Sequence, residues 1–481
     1  MANVSYTRSS RRKPYQVTFT VLALAGFASG LLALVTPALP LLQRDLHTSP
    51  SATAWLLTGY LLSGSVSTPL IGRLGDIYGK KRVLIVVLAL LVIGTLLSAL
   101  ASSLPLMIVG RVVAGVSVAT FPLAFGIIRD EFPAEQVASG LGLMSAILGI
   151  ATGVAVVLAG VIVDNLDYHW LFWLPLILGA LAAAASWLVI PASPVHAAGR
   201  IPWLGAVLLS AGLVALLLAI TQAPTWGWGS WQTLVLLVGA LVLLVVWVLV
   251  ELREQQPLVD MHVMARRGVW TTNLVGFLSG IGMYAFLVLI AQLVTLPLAT
   301  GFGFGASNTG AGLFLLPMPA MMVIAGALSG RLERLFGSRL VLVVAVLFVL
   351  ASYLLLALAH SLPAEIYVAS GLLGVGIGLA FAAMANLIVM AVPPDETGVA
   401  TGINTIVRTV GGALGSQVVA TILASSLIAG TRLPAEQGFV LSFWIVAAAS
   451  SIAVLAALAV PSRSPAKEAS PVSSATATTA R

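Results

Sequence analysis

The sequence predicts an all-α, polytopic membrane protein of fourteen transmembrane helices, two related six-helix bundles with two further helices between them. Three observations predict it. Hydrophobic residues make up 59% of the 481-residue chain and charged residues only 8%, where soluble domains carry about 25% charge. So little charge cannot cover a water-facing surface. Fourteen apolar runs are long enough to cross a bilayer, which takes about 20 residues each. Finally, a basic, glycine-bounded loop, Gly72-Arg73-Leu74-Gly75-Asp76-Ile77-Tyr78-Gly79-Lys80-Lys81-Arg82, recurs in weakened form as Gly330-Arg331-Leu332-Glu333-Arg334-Leu335-Phe336-Gly337-Ser338-Arg339, at an offset of 258. A duplicated basic hairpin inside a hydrophobic chain points to two related halves.

The elements follow in order. Residues 1–15 form an N-terminal segment with Arg8, Arg11, Arg12 and Lys13. The apolar run behind it continues from Val17 to Leu42, beyond the h-region of about 7–15 residues of a signal peptide, and reads as a retained first span. Six spans are expected at 16–42, 53–72, 83–103, 105–128, 137–163 and 170–190. Two follow at 203–221 and 232–251, and six more at 269–298, 308–330, 340–359, 365–391, 398–429 and 438–461. The first hairpin joins spans two and three, and its echo joins spans ten and eleven. The halves therefore run over 16–190 and 269–461, with 191–268 a linker that carries the inserted pair. Leu104-Pro105 recurs as Leu362-Pro363 at the same offset, and Val137-Ala138-Ser139-Gly140 as Val399-Ala400-Thr401-Gly402 at a slightly longer one. Residues 462–481, rich in Ser, Ala, Thr and Pro, are expected to be a disordered tail.

An even span count places both termini on one side. With that side inside, the inner segments hold Arg8 to Lys13, Arg73 with Lys80 to Arg82, Arg129, Arg200, Arg253, Arg266, Arg267, Arg331, Arg334 and Arg339, and the outer loops hold only Arg44 and Arg432. Lysine and arginine accumulate in cytoplasmic loops, so both termini are expected in the cytoplasm of a cell-membrane protein. The formal charge of +7 is spread over short loops, which argues against nucleic acid as a partner. The absence of cysteine excludes disulfides and thiolate metal sites. No phosphate-binding loop with its lysine is present, so ATP is not the expected drive. No cofactor or metal is expected, and the spans hold no clustered His, Asp, Glu or Ser of the kind an enzyme needs.

The motifs resemble the major facilitator superfamily, and within it the fourteen-helix drug:proton antiporters, over residues 16–461. Gly72, Asp76, Gly79, Lys80 and Lys81 match the superfamily loop signature, with Ile77 where a base is usual. Ala38-Leu39-Pro40 is similar to the ending of span one. Arg111 and Gly115 match an Arg-xxx-Gly pattern in span four, with Ala114 where Gln is common. Tyr168-His169-Trp170-Leu171-Phe172 resembles the entry to span six, and Arg408-Thr409-Val410-Gly411-Gly412 a span-thirteen signature. Two departures concern coupling. Leu31 stands where this branch has an Asp, and Ala155-Val156-Val157-Leu158-Ala159-Gly160 keeps only the last glycine of the antiporter motif of span five. The resemblance implies a secondary exporter of amphipathic compounds working by alternating access in exchange for protons. The departures leave open an uncoupled or differently coupled carrier of a specific metabolite. A monomer suffices for such an architecture.

The resemblance also implies that Asp76 helps lock the two halves in the outward-facing state, with Gly72, Gly79, Lys80, Lys81 and Arg82 as the rest of that gate. By its position alone, Asp76 could cap a helix N-terminus or be a solvated loop acid. Arg111 lies about 10 Å deep, where a charge is costly unless paired or hydrated. It either faces a central cavity or snorkels to the interface. No acid falls mid-span, so coupling would use a carboxylate at a span end: Asp45, Asp76, Asp130, Glu131 or Asp164. Deep uncharged polar residues are candidate substrate contacts: Tyr60, Asn273, Tyr284, Gln292, Asn386 and Gln417. Interhelical hydrogen bonds would account for them equally. Met283, Met318, Met321 and Met322 suit an adaptable apolar pocket or ordinary packing. Gly115 with Gly149, Gly153 and Gly160 are expected to allow close helix approach.

Overall fold

A computed structural model describes residues 15–48, 50–192, 202–431 and 433–461; the N-terminal basic residues and the tail from 462 onward, with their expected cytoplasmic placement, lie outside the described residues. The described chain is helical throughout apart from loops and one isolated bridge, Leu427 with Pro434. Fourteen helices are numbered here in chain order. Helix α1 comprises Tyr15–Gly30 and Val35–Asp45 around a 3-10 stretch, Leu31–Leu34. Then come α2 (Pro50–Tyr78), α3 (Lys80–Ala99), α4 (Leu104–Gly115 and Thr120–Glu131 around the 3-10 stretch Val116–Ala119), α5 (Ala134–Asn165) and α6 (Trp170–Val189). The inserted pair is α7 (Trp203–Trp226) and α8 (Trp231–Glu251). The chain continues with α9 (Arg267–Thr295), α10 (Asn308–Leu315 and Pro317–Phe336), α11 (Ser338–Leu358), α12 (Pro363–Ala391), α13 (Thr397–Ser425) and α14 (Glu436–Ala459).

Thirteen of these are long and apolar enough to cross a membrane. The exception is α2, which at 29 residues has the length. Its middle reads Ser63-Gly64-Ser65-Val66-Ser67-Thr68, and two of the side chains turn back onto the helix: Ser67 and Thr68 hydroxyls donate to the Ser63 and Gly64 carbonyls at 2.6 and 2.5 Å, while the buried Ser65 hydroxyl has no partner among the described residues. A helix that satisfies part of its polar side chains internally and packs on other helices does not need an apolar surface all round. The two hairpins share one device. Gly79 and Gly337, each a single residue between two helices, take φ values of 95° and 80°, a region that glycine enters without a Cβ clash.

The packing decides what can move. One apolar core is built from buried side chains between Val275 and Val460, with Leu148 of α5 packed against it, while a second joins α1, α2, α3, α4, α5 and α6 with Ala385 and Val389 of α12. Across the middle, α5 packs on α10 and α12, and α2 packs on α13. Close approach there is set by small residues: a Cβ on Gly326 would sit 2.8 Å from the Ala146 Cβ, and one on Gly330 2.6 Å from the Ser139 Cα. Helix α7 lies against α2 and α13, and α8 packs on α7 with Leu234, Val238, Leu241 and Val245 on its exposed face, as expected for side chains in lipid. Glu251 at the end of α8 is buried and accepts from the Trp247 indole (3.0 Å) and the Val259 N–H (3.3 Å), which fixes the turn that leads back to α9.

Candidate functional site

Two regions gather the chemistry. The first lies at the end of the molecule that carries both basic hairpins. Asp76, on the last turn of α2, is fully buried. Its carboxylate accepts from the N–H groups of Gly398 (3.4 Å) and Val399 (3.3 Å), in the first turn of α13. Those N–H groups have no partner within their own helix and carry the positive end of its dipole. Glycine makes the approach possible, since a Cβ on Gly72 would lie 2.6 Å from the Gly398 carbonyl oxygen. Lys80 opens α3 with its ammonium 3.5 Å from Asp76 and 2.9 Å from Asp130 of α4, all three side chains buried. Arg129, beside Asp130, reaches the other way: it donates to the carbonyls of Pro393 (3.1 Å) and Val392 (3.0 Å) and to the Thr397 hydroxyl. One carboxylate and one guanidinium from the first half thus grip the loop and helix start that open α13.

The echo hairpin is built differently. Arg334 stands at the position of Asp76 and donates back to the Gly330 carbonyl of its own helix. Glu333, one residue earlier, is buried and accepts from the Ser338 hydroxyl and the Asn386 amide, both at 2.6 Å. Its other oxygen is buried with no partner, and no cation pairs with it among the described residues.

The second region is mid-molecule. Arg111 is buried, with its guanidinium 4.6 Å above the Tyr60 ring, and donates to the Leu32 carbonyl (3.1 Å) and the Leu56 carbonyl (3.2 Å). Leu32 belongs to the 3-10 stretch of α1, and its neighbour Leu31 is buried in an apolar core. The cation is therefore held by main-chain dipoles and an aromatic face, with no carboxylate paired to it among the described residues. On the other side Arg408 of α13 lies 4.0 Å above the Phe381 ring. It lines a cavity of about 10 Å³ between the halves with Phe121, Phe125, Ser145, Thr401 and Asn404. That is room for about one water. A second small cavity of about 20 Å³ is apolar, lined by Gly149, Gly153, Met283, Met318, Pro319 and Met322.

A sequence profile of the Major Facilitator Superfamily matches residues 18–416 and, separately, 274–480. The chain belongs to that superfamily. It is a multi-pass membrane transporter of small molecules and not an enzyme. Among curated relatives, the tetracenomycin C resistance and export protein of Streptomyces glaucescens is 28% identical over 88% of this chain and 79% of its own. Multidrug resistance protein 3 of Bacillus subtilis is 26% identical over 77% of this chain and 72% of its own. Among solved structures, a human organic anion transporter, MFSD10, superposes with a TM-score of 0.66 at 16% identity, over 92% of this chain and 100% of that one. The proton:xylose symporter XylE gives 0.65 at 16%, over 93% and 96%. These two bear on the fold alone.

Within this major facilitator the sequence candidates separate. Gly72, Asp76, Lys80 and Asp130 meet in the first region; Gly79 makes its turn, Lys81 is half-buried and Arg82 is exposed. Tyr60 and Arg111 meet in the second, where the Gly115 backbone abuts the Tyr60 carbonyl. Tyr284 packs on Gly412, one turn from Arg408. Asn273 accepts from the Asn404 amide at 3.0 Å, an α9–α13 bond. Asn386 belongs to the Glu333 cluster, Gln292 is exposed near the end of α9, and Gln417 is half-buried on α13. Gly149 and Gly153 meet Met322 and Pro319, while Gly160 has only an ordinary contact with Thr309. Asp45 is exposed at the end of α1. Asp164 falls in α5, and its side chain lies outside the described residues. At that same end the His169 main-chain N–H donates to Asp167 at 2.8 Å, which with the His169 ring holds this carboxyl below its ordinary value.

Sequence reasoning passed over Arg129, Glu333 and Asn404, and took Arg408 as a signature only. The signal for Glu333 was present: it is the one acid in the echo hairpin. Position-by-position comparison with Asp76 hid it, because the acid has moved by one residue.

Proposed function

We propose that this transporter exports amphipathic organic compounds across the cell membrane in exchange for protons, by alternating access of two bundles, 16–190 and 269–461, with the α7–α8 pair riding beside them. Both termini are cytoplasmic in this reading, so the end with the basic hairpins faces the cytoplasm and is closed here. The observation that carries it is the Asp76 carboxylate seated on the first N–H groups of α13, reinforced by Arg129. A bond between halves made only when that end is shut is what an alternating-access carrier needs to hold one of its states. The direction is supported by the Streptomyces relative, a resistance and export protein, and by the Bacillus relative, a multidrug resistance protein. A monomer contains every part of the site.

Glu333 is the coupling acid in this account. It faces Ser338 on α11 and Asn386 on α12, both neutral. On its own helix Arg334 is turned to a carbonyl, and the neighbouring Gly330 packs on Ser139 of α5. A buried carboxyl with only neutral partners favours its protonated form. Separation of α5 from α10 would wet the group and release the proton. The alternative, an uncoupled carrier, is favoured by one observation: the centre holds two arginines, and no carboxylate faces them among the described residues. Proteoliposomes loaded with a fluorescent amphipathic dye decide between the two. Proton coupling predicts dye movement that grows with an imposed pH gradient and reverses with its sign; equal rates with and without the gradient would end that reading.

A further inference from the structure

Arg408 sits at mid-helix in α13 with its guanidinium carbon 4.0 Å from the Phe381 ring centre, facing the cavity between the halves. Among the described residues it has no ion-pair partner, and neither has Arg111. Arg111 has at least two carbonyl acceptors; Arg408 has the aromatic face. The other polar groups lining its cavity, Ser145, Thr401 and Asn404, are uncharged. A cation inside a membrane protein is costly unless something answers it, and half-buried Arg408 is answered, among the described residues, only by the face of the Phe381 ring. That leaves a place for a negative charge. The second cavity, reached one turn along α5 from Leu148 to Gly149, Thr152 and Gly153, offers Met283, Met318 and Met322, flexible and polarizable side chains that adapt to flat apolar bodies.

We infer that the transported compounds are amphipathic aromatic anions: a carboxylate, sulfonate or phenolate held by Arg408 with the Asn404 amide and Thr401 hydroxyl, its ring system placed between Phe121, Phe125 and Phe381 and running toward the methionines. The two small cavities are the closed remnants of the space that opens when the halves rock. Cationic amphiphiles, in contrast, meet two like charges and, among the described lining residues, no carboxylate. This inference rests on the transport reading above and adds the sign of the cargo.

The test uses the purified full-length chain and three series of naphthyl and anthracenyl probes with the same ring systems: butanoates, their uncharged methyl esters, and butyl-trimethylammonium counterparts. Thermal stabilisation against concentration gives the affinity. The butanoates are expected to bind at least about tenfold more tightly than the esters, the value of one charge-assisted hydrogen bond, and the ammonium probes more weakly than the esters. Arg408→Gln should remove the preference for acid over ester, and Arg408→Lys should keep part of it. The ester comparison needs no variant, so it stands even where Arg408→Gln fails to fold. Equal binding of acid and ester, tighter binding of the ammonium series, or no binding by any acid would each overturn the inference. Transport of the same probes in vesicles separates the two layers. Gradient-driven movement of the ammonium series alone leaves the exporter reading standing and removes the anion. Movement of none of the three removes the exporter reading as well.

Discussion

The N-terminal hairpin buries three charges together, Asp76, Lys80 and Asp130, and spends the surplus carboxylate capacity on the other half of the molecule. The C-terminal hairpin, built on the same glycine turn, buries one acid among neutral partners and closes on itself. Lys80 has become Ser338, and the carboxyl has moved from the residue four before the turn-following base to the residue five before Ser338. The difference teaches that the two hairpins share a backbone turn and differ in chemistry. Under the proposed mechanism one is a charged latch between halves and the other a proton-holding cluster within one half.

Substitutions can break or sharpen this contrast. Asp76→Ala should have the largest effect. It leaves Lys80 with one carboxylate and two helix N–H groups without an acceptor, and removing one member of a buried ionic cluster costs about 3–5 kcal/mol. Gradient-driven transport by Asp76→Ala in proteoliposomes should fall at least about a hundredfold. Gly72→Ala comes next. Its methyl would lie 2.6 Å from the Gly398 oxygen, so α2 and α13 are forced apart at about 1–3 kcal/mol, read as faster labelling of introduced cysteines at the basic end. Arg129→Gln, at a half-buried position, should weaken the same closure by about 1–2 kcal/mol. The smallest effect on closure belongs to Glu333→Gln, below about 1 kcal/mol, because an amide reproduces a neutral carboxyl and keeps both hydrogen bonds. The same variant should lose its response to the pH gradient. A thermal shift for Glu333→Gln as large as that for Asp76→Ala would show that Glu333 is ionised and that the two hairpins are electrically alike.

Much of the architecture was legible in the residues. Span positions follow from runs of apolar residues whose length is fixed by bilayer thickness, and the first hairpin stood out because Gly72, Asp76, Gly79, Lys80 and Lys81 match the spacing of the superfamily loop signature. Span two, read at 53–72 as an apolar run, is α2, the one of the fourteen helices that falls short of the apolarity of the rest. The site was only partly legible. Asn273 and Asn386 have the composition of ligand contacts, yet their partners are Asn404 and Glu333, residues 131 and 53 positions away; helical periodicity cannot show which neighbouring helix an amide meets. Arg129 looked like a topology marker because two of its three acceptors, the Val392 and Pro393 carbonyls, are main-chain groups that carry no residue signature, and the third, the Thr397 hydroxyl, lies 268 positions away. Leu31 was readable as a missing acid, but that Arg111 would be answered by the adjacent Leu32 carbonyl depends on a 3-10 stretch that sequence does not mark.

The latch itself is the most direct point of attack. The chain has no cysteine, so Tyr78→Cys and Leu335→Cys, both at exposed positions on the two hairpins, give a single pair of spin labels. Their distance distribution reports whether the basic end is shut. With Asp76 intact the short-distance population should dominate, and Asp76→Asn should shift the distribution toward the long one. Identical distributions in the two proteins would contradict the account.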